Sequence, residues 1–564
     1  MSSRFKNLSQ NWRFYFIFFI FFLLTLVIIF RFFNLQILNG KTFSTQAASQ
    51  AQAKQADWQY LRGKIYFQDK DKKLAPAAVN KDFYQVYAVP AKISDPISVA
   101  KAVAGVFLLN EDDLIARFSR KTSQYDLIQK KVDASIVKQI ESMKLQGIYV
   151  TQVAGRFYPF GSMAAQVLGY VKDDAQNFTG QYGLEKYFNN KLAPNSSATN
   201  LLDLLSLKNI IFDKDNYDLI TTIDYNIQKK AEDILEASIK EWEAESGTII
   251  VMEPKTGRIL TMASYPNFDP NNYSKYPIKT FINPAVELVY EPGSVFKVIT
   301  ISSGIEDKKI TPQTNYYDAG EVKIDGETIR NWDLKAYGWQ TMAGVLSHSL
   351  NLGAIFVESK LGNDLFYQGV LNFDINQKTG ITLPGEVKGN VDNLKGFQDI
   401  YFATASFGQG ITVTPLGMIT AVSAIANKGL MMKPYIIEKI IDSQTNEEQI
   451  TEPQEVKRVI SEETARLMRI MLVNAVEENK VATVKGYQVA GKTGTTQVLD
   501  ANGKYGDETI HSFVGFAPAE NPRFVILVKI DKPQKAKFAG ATAIPAFREL
   551  AQYILNYYEI QPTE

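Results

Sequence analysis

An uncharged run from Phe14 to Phe30, almost entirely Phe, Ile, Leu and Val, constrains this chain more than any other feature. A helix that is apolar all round must be covered all round. At 1.5 Å per residue this run would span roughly 26 Å, against about 30 Å for the hydrocarbon core of a bilayer. Arg31 can snorkel to the interface, and Phe32 and Phe33 lengthen the apolar part. Arg4, Lys6 and Arg13 precede it, which predicts an N-terminus on the inner side. The following Asn34-Leu-Gln-Ile-Leu-Asn-Gly40 offers no small-residue cleavage site. The reading is a cytoplasmic tail over 1–13 and a retained single-pass anchor over 14–33. The rest of the chain lies on the outer, periplasmic side of the cytoplasmic membrane. No later stretch is comparably apolar.

Composition removes several classes of function. Lys plus Arg is 61 and Asp plus Glu is 60, a net charge of +1, so nothing draws the chain to nucleic acid. Cysteine is absent, which excludes disulfides, thiolate nucleophiles and Cys-based metal sites. His348 and His511 are the only histidines; they leave no room for a His-rich metal cluster and little choice of Ser-His-Asp triads. No metal and no cofactor is expected. At 564 residues the chain has material for two to four domains.

Residues 34 to about 60 are rich in Gln and Ala, a helix-forming composition with little apolar face, suited to a stalk. Arg62-Gly-Lys-Ile-Tyr66 begins strand-like material, and 92–145 carries amphipathic helices such as Ser94–Ala104. A polar loop is expected at Asn195–Thr199. The character changes at Tyr217. Tyr217–Asp224 reads as a strand whose last residue caps a helix through Ile227, Ala231, Ile234 and Leu235. Thr248–Met252 and Arg258–Met262 read as a hairpin, Ser512–Phe516 and Phe524–Ile530 as two further strands, and Pro545–Tyr558 as a closing amphipathic helix. The pattern predicts an α+β fold: an elongated mixed domain over 34–216, then an antiparallel sheet flanked by helices over 217–564.

Three short motifs carry the chemistry: Ser294-Val-Phe-Lys297, Ser349-Leu-Asn351 and Lys492-Thr-Gly-Thr495. Singly they are weak. Ser-x-x-Lys also occurs at Ser3/Lys6, Ser98/Lys101 and Ser135/Lys138; Lys-Thr-Gly also occurs at Lys255 and Lys378; Ser-x-Asn also occurs at Ser9/Asn11. Context selects among them. Ser294 follows the turn Tyr290-Glu-Pro-Gly293 and opens a helix-compatible run, so Lys297 lies one turn on, on the same face. Lys255 falls in a hairpin turn and Lys378 in a loop. Lys492 follows strand-like residues and precedes two further strands. His348, beside Ser349, has no acid partner evident and reads as solvated or structural. Glu253 and Asp269 read as turn residues.

With Arg31…Leu35-Gln36, Arg62-Gly63…Ile65-Tyr66, Arg156-x-Tyr-Pro159, Gly183-Leu-Glu185, Thr222-Ile-Asp224…Gln228 and Phe407-Gly-Gln-Gly410, these motifs resemble the class B penicillin-binding proteins over nearly the whole chain. One departure is Phe67–Lys73, where the family has Asp-Arg-Asn-Gly. The resemblance implies a peptidoglycan D,D-transpeptidase with a serine β-lactamase-like catalytic domain, on a non-catalytic pedestal of the dimerisation type. It implies that Ser294 attacks the D-Ala-D-Ala bond of a stem peptide, with Lys297 as base. A free lysine titrates near 10.4, so a neutral Lys297 needs a shift of about three units, which burial and the cation of Lys492 can supply. Ser349 and Asn351 would hold Lys297, and Ser349 would relay the proton to the departing amine. The backbone N–H groups of Ser294 and Thr495 would form the oxyanion hole. Lys492, Thr493 and Thr495 would bind the substrate carboxylate, and Gly494 would leave room for substrate along the strand. β-Lactams would acylate Ser294 and stay. The implied partner is a membrane glycosyltransferase of the shape, elongation, division and sporulation family.

Glu291-Pro-Gly-Ser294 and Gly410–Pro415 favour a division role over an elongation role. Two other readings compete: a hydrolase of the same superfamily, and a non-catalytic penicillin-binding sensor or scaffold. A pedestal and an anchor, with no class A deacylating glutamate motif, weigh against the first. Intact Ser294, Lys297, Asn351 and Lys492 weigh against the second.

Overall fold

The computed structural model describes residues 12–33, 62–174, 177–193, 216–443, 445–499 and 503–562. The stretch 34–60, the loop 195–199 and the Ser3/Lys6 and Ser9/Asn11 pairs lie outside the described residues. Helix α1 (Trp12–Phe33) is continuous over 22 residues, and its large apolar side chains from Tyr15 to Phe30 are exposed. Among the described residues no helix is long and apolar enough to cross a membrane. The side chains of Arg13, Phe14, Phe32 and Phe33, at the two ends of α1, lie outside that set.

Strands β1 (Ile65–Gln68) and β2 (Leu74–Ala88) come next. One compact unit takes up Lys81–Gly155. In it the end of β2 pairs antiparallel with β3 (Asp126–Val132), and α2 (Pro96–Phe107), α3 (Glu111–Phe118) and α4 (Ala134–Ser142) cover one sheet face. Asp95 caps α2 by accepting from the N–H groups of Ile97 and Ser98, and Leu108 ends it in the left-handed region. Val86, Ala88, Val103, Leu114, Phe118 and Ile128 form the core of this unit. The Ser98/Lys101 and Ser135/Lys138 pairs are exposed residues of α2 and α4. Strand β4 (Ile148–Phe157) also pairs with β2.

The other unit comprises Arg62–Asn80 and Arg156–Glu564. It therefore takes in Arg62–Asn80 and the part of the expected pedestal after Gly155, as well as everything after 216. The physical reason is strand pairing: β1 lies parallel to β5 (Tyr217–Asp224), in a sheet ordered β9-β8-β5-β1-β2, with β8 at Ile437–Asp442 and β9 at Glu448–Ile450. Three motifs far apart in sequence converge beside it. Glu185, fully buried, accepts from Arg62 Nε at 2.8 Å, Arg156 Nε at 2.7 Å and Tyr158 Oη at 3.3 Å. Burial pushes the Glu185 carboxyl up, but Arg156 and Arg62 outweigh it and hold it below the usual range.

Asp224 caps α5 (Tyr225–Trp242) through the N–H groups of Asn226 and Ile227. The central sheet follows. Strands β6 (Ser246–Met252) and β7 (Ile259–Tyr265) form the expected hairpin, with Gly257 of the Lys255-Thr-Gly turn at φ +88°. Then come α6 (Lys297–Glu306), α7 (Met342–His348), α8 (Asn351–Leu361), α9 (Pro415–Ala426) and α10 (Glu462–Glu478). Strands β10 (Ala490–Leu499), β11 (Tyr505–Ala517) and β12 (Phe524–Asp531) precede α11 (Ala543–Tyr557). The sheet is antiparallel, ordered β10-β11-β12-β6-β7. Its inner strands are apolar on both faces, and successive residues join different cores. Ile249, Val251, Ile526 and Val528 pack with α5 and α11; Ile250, Met252, Val525 and Leu527 pack with α6 and α9. Strand β10 is one edge of this sheet and lies beside the turn that opens α6.

Candidate active site

Ser294 stands on a 3-10 turn, Gly293–Phe296, that runs directly into α6. The tightness of that turn explains the residues before it. Gly293 has φ +53°, and a Cβ there would lie 2.0 Å from Thr496 Oγ1. Gly408, φ +83°, would place a Cβ 2.2 Å from the carbonyl oxygen of Gly293. The Gly293 N–H donates to the Gly408 carbonyl at 3.1 Å, and Glu291 Oε1 accepts from the Gly410 N–H at 3.1 Å. Phe407-Gly-Gln-Gly410 is thus the brace behind the serine turn.

Lys297, one turn on, is fully buried. Its Nζ lies 3.1 Å from Ser294 Oγ, 2.5 Å from the Ser349 carbonyl oxygen and 2.8 Å from Asn351 Oδ1. The last two can only accept, so they take two N–H bonds of the amine. In the neutral amine the lone pair then faces Ser294, whose O–H can donate to it. Burial, and next the neighbouring Lys492, pull the Lys297 ammonium well below the ordinary lysine range. Lys492, 3% exposed on β10, is lowered by burial to about 7. Its Nζ donates to Ser349 Oγ at 3.0 Å, and that hydroxyl lies 3.4 Å from Lys297 Nζ. Ser349 bridges the two amines. It caps α7 with φ +59°, an uncommon backbone for a serine, and its carbonyl binds Lys297.

The alternation of β10 sorts the third motif. Gly494 and Thr496 face the serine turn, whereas Thr493 and Thr495, half-buried, line a cleft of about 1400 Å³ together with Ser294, and the Lys492 amine reaches the same cleft. Thr493 Oγ1 accepts from Lys492 Nζ at 3.2 Å. Gly494 does not line the cleft. A Cβ on it would come within 2.5 Å of Ser512 Oγ, 2.9 Å of the Pro292 carbonyl oxygen and 3.0 Å of Val295 Cγ2. This corrects the expectation for Gly494: its missing side chain lets β10 pack against the serine turn and does not make room for substrate. The backbone of Thr495 lies on the edge strand, opposite His511 of β11, and its Oγ1 accepts from the Ala539 N–H at 3.2 Å.

Several residues at the site belong to none of the sequence motifs. Trp332 and Phe538, each about half exposed, meet edge to face at 5.3 Å on the rim of the cleft. Asn331 and Asp318 are buried behind Asn351. His348 does have an acid nearby: its Nε2 lies 3.6 Å from Glu478 Oε1, and Tyr337 stacks on its ring. Neither contact directs it at Ser294. His511 is buried between Thr509 Oγ1 and Thr542 Oγ1, and burial lowers it to about 4, so it stays neutral. Asp269 caps a turn, accepting from Asn271 N, and Glu253 Oε2 accepts from Thr256 Oγ1. Among the described residues no cluster of His, Asp and Glu could hold a metal.

Residues 247–552 match the family described as the Penicillin binding protein transpeptidase domain, and residues 59–203 the Penicillin-binding Protein dimerisation domain. The chain is 31% identical over 575 residues to "Stage V sporulation protein D" of Bacillus subtilis (strain 168), covering 99% of this chain and 88% of that protein. It is 28% identical over 568 residues to "Peptidoglycan D,D-transpeptidase FtsI" of Buchnera aphidicola, covering 98% and 96%. Among solved structures, penicillin binding protein 3 from Mycobacterium tuberculosis, complexed with aztreonam, is similar with a TM-score of 0.69 at 25% identity, over 89% of this chain and 97% of that one. A peptidoglycan synthetase from Bifidobacterium adolescentis ATCC 15703 gives 0.67 at 26% identity, over 89% and 96%.

Proposed function

Because this chain belongs to the penicillin-binding protein transpeptidase family and is a serine-type D,D-transpeptidase of class B, we propose the following assignment of its site and cellular role. Ser294 is the nucleophile, Lys297 the base, and Ser349 the hydroxyl that passes the proton to the leaving amine. The single observation that supports this most strongly is a buried Lys297 amine 3.1 Å from Ser294 Oγ, with both its other directions taken by carbonyl oxygens. Attack on the penultimate D-alanine carbonyl forms the Ser294 ester and expels D-alanine, which leaves with the serine proton. A second stem's amine then attacks the ester, forms the cross-link and returns the hydroxyl. Backbone N–H groups of Ser294 and Thr495 hold the oxyanion. Lys492, Thr493 and Thr495 take the substrate carboxylate, and Lys492 as a cation suits that charge. A β-lactam enters as a stem-peptide mimic and stays on Ser294; the solved relative holding aztreonam supports this.

The apolar run Phe14–Phe30, within a helix over Trp12–Phe33, supports a single-pass anchor over 14–33 with the catalytic unit outside the cytoplasmic membrane. Deleting residues 1–33 should release the chain from membranes; continued sedimentation of the truncated chain with them would refute the anchor. The pedestal and anchor would meet a membrane glycosyltransferase of the shape, elongation, division and sporulation family. Septal synthesis is the favoured role. A second reading, wall synthesis during sporulation, is favoured by the name of the relative that is 31% identical, a stage V sporulation protein.

Cross-linking by the purified chain, given a donor stem peptide and an amine acceptor, tests the activity. D-Alanine release together with cross-linked product is expected. D-Alanine release with hydrolysed donor alone would make the protein a carboxypeptidase.

A further inference from the structure

Asn351 is placed by a residue that no motif contains. Leu350 precedes α8 and offers no side-chain cap, so the first N–H groups of that helix need an acceptor from elsewhere. Asn331, 20 residues earlier and 1% exposed, supplies it: its Oδ1 accepts from the Asn351 N–H at 3.0 Å and the Leu352 N–H at 3.4 Å. The adjoining Arg330 carbonyl accepts from Asn351 Nδ2 at 3.0 Å. Asn351 is gripped at its main chain and at one end of its amide, and Oδ1 is the end left for Lys297.

The orientation of Asn331 itself is forced. Asp318 is fully buried, and its described partners are all neutral donors: Tyr316 Oη at 2.7 Å, the Gly320 N–H at 3.0 Å, the Tyr337 N–H at 3.4 Å and Asn331 Nδ2 at 2.8 Å. A carboxylate only accepts, so Asn331 must turn its NH₂ to Asp318 and its oxygen to α8. The second N–H of that NH₂ goes to the Lys335 carbonyl at 3.1 Å. A buried acid without a cation is costly to keep, and here four donors offset the loss of water.

We infer that Asp318 and Asn331 are positioning residues of the acyl-transfer site, fixing Asn351 so that its carbonyl oxygen holds the Lys297 amine against Ser294. The inference rests on the assignment of Ser294 and Lys297 above. Asp318 and Asn331 act by orientation, so their loss slows the covalent step and leaves the preceding encounter almost untouched.

The test is stopped-flow acylation of the full chain by a fluorescent penicillin, which separates the initial dissociation constant K from the acylation rate k2. Asn331→Ala and Asp318→Asn should each lower k2 on the order of 30-fold while K changes by less than about twofold. The exchanged pair Asp318→Asn/Asn331→Asp restores an acceptor at α8 and a donor facing it, and should recover k2 to within about fivefold of wild type. If Asn331→Ala fails to fold, Asp318→Asn and the exchanged pair carry the test alone. Wild-type k2 in the single variants, or no recovery in the exchanged pair, would overturn the inference. Labelling of Ser294→Ala run alongside would instead show that the nucleophile assignment had failed.

Discussion

The base proposed for this site, Lys297, can act near neutral pH only if something makes its ammonium expensive, and burial together with a second buried amine does so. The same arrangement burdens the fold. A lysine lowered in the folded state binds fewer protons there than in the unfolded chain between its two pKa values, so stability rises with pH across that window. For Lys492 the window runs from about 7 to 10.5, and its cost is full below it. Lys492→Met should therefore raise the melting temperature at pH 7 by about 3 °C, the gain vanishing towards pH 10.5. Removing this cation should also favour the Lys297 ammonium, moving the acid limb of k2 to higher pH; an unmoved limb would mean that the two amines do not interact. Lys297→Met should cut k2 by about a thousandfold or more, measured with the same penicillin, while the protein still folds.

At the scale of elements, the site is where one sheet edge, one helix start and two helix junctions meet. The contribution of Ser294 and Lys297 was legible because it is local: a glycine-proline turn, then one helical turn. Lys492 was legible because strand alternation and the strands after it fix its setting. Gly494 was legible as a requirement but for the wrong reason, since which neighbour a missing side chain admits depends on Pro292 and Val295, some 200 residues away. Asn331, Asp318 and the Glu478 partner of His348 have no local signature at all; long-range packing alone gives them meaning. The glycine brace yields its own prediction. Gly408→Ala puts a Cβ against the Gly293 carbonyl at φ +83° and should cost about 2 kcal/mol or more in unfolding free energy. It should also slow acylation, because the turn that moves carries Ser294. Normal stability and normal k2 would show that the turn yields freely.

Across the whole molecule, residues that resemble a family need not serve its chemistry. Arg62, Arg156 and Glu185 come from three separate motifs and make one buried ion cluster far in sequence from Ser294. Glu185→Gln leaves two guanidinium groups uncompensated and should cost about 3–5 kcal/mol on chemical denaturation, with k2 of the folded protein unchanged. A large fall in k2 would tie the cluster to the site. The expected α+β organisation was readable from the order of strands and helices, whereas the return of Arg62–Asn80 to the catalytic unit was not, because parallel pairing of β1 with β5 leaves no mark in either segment. The central claim remains a serine acyl-enzyme on Ser294. Fluorescent penicillin, applied to wild type and Ser294→Ala and followed by mass mapping of the labelled peptide, tests it most directly. The account predicts one label, on the peptide containing Ser294, and none in the variant; a label that persists in Ser294→Ala would contradict it.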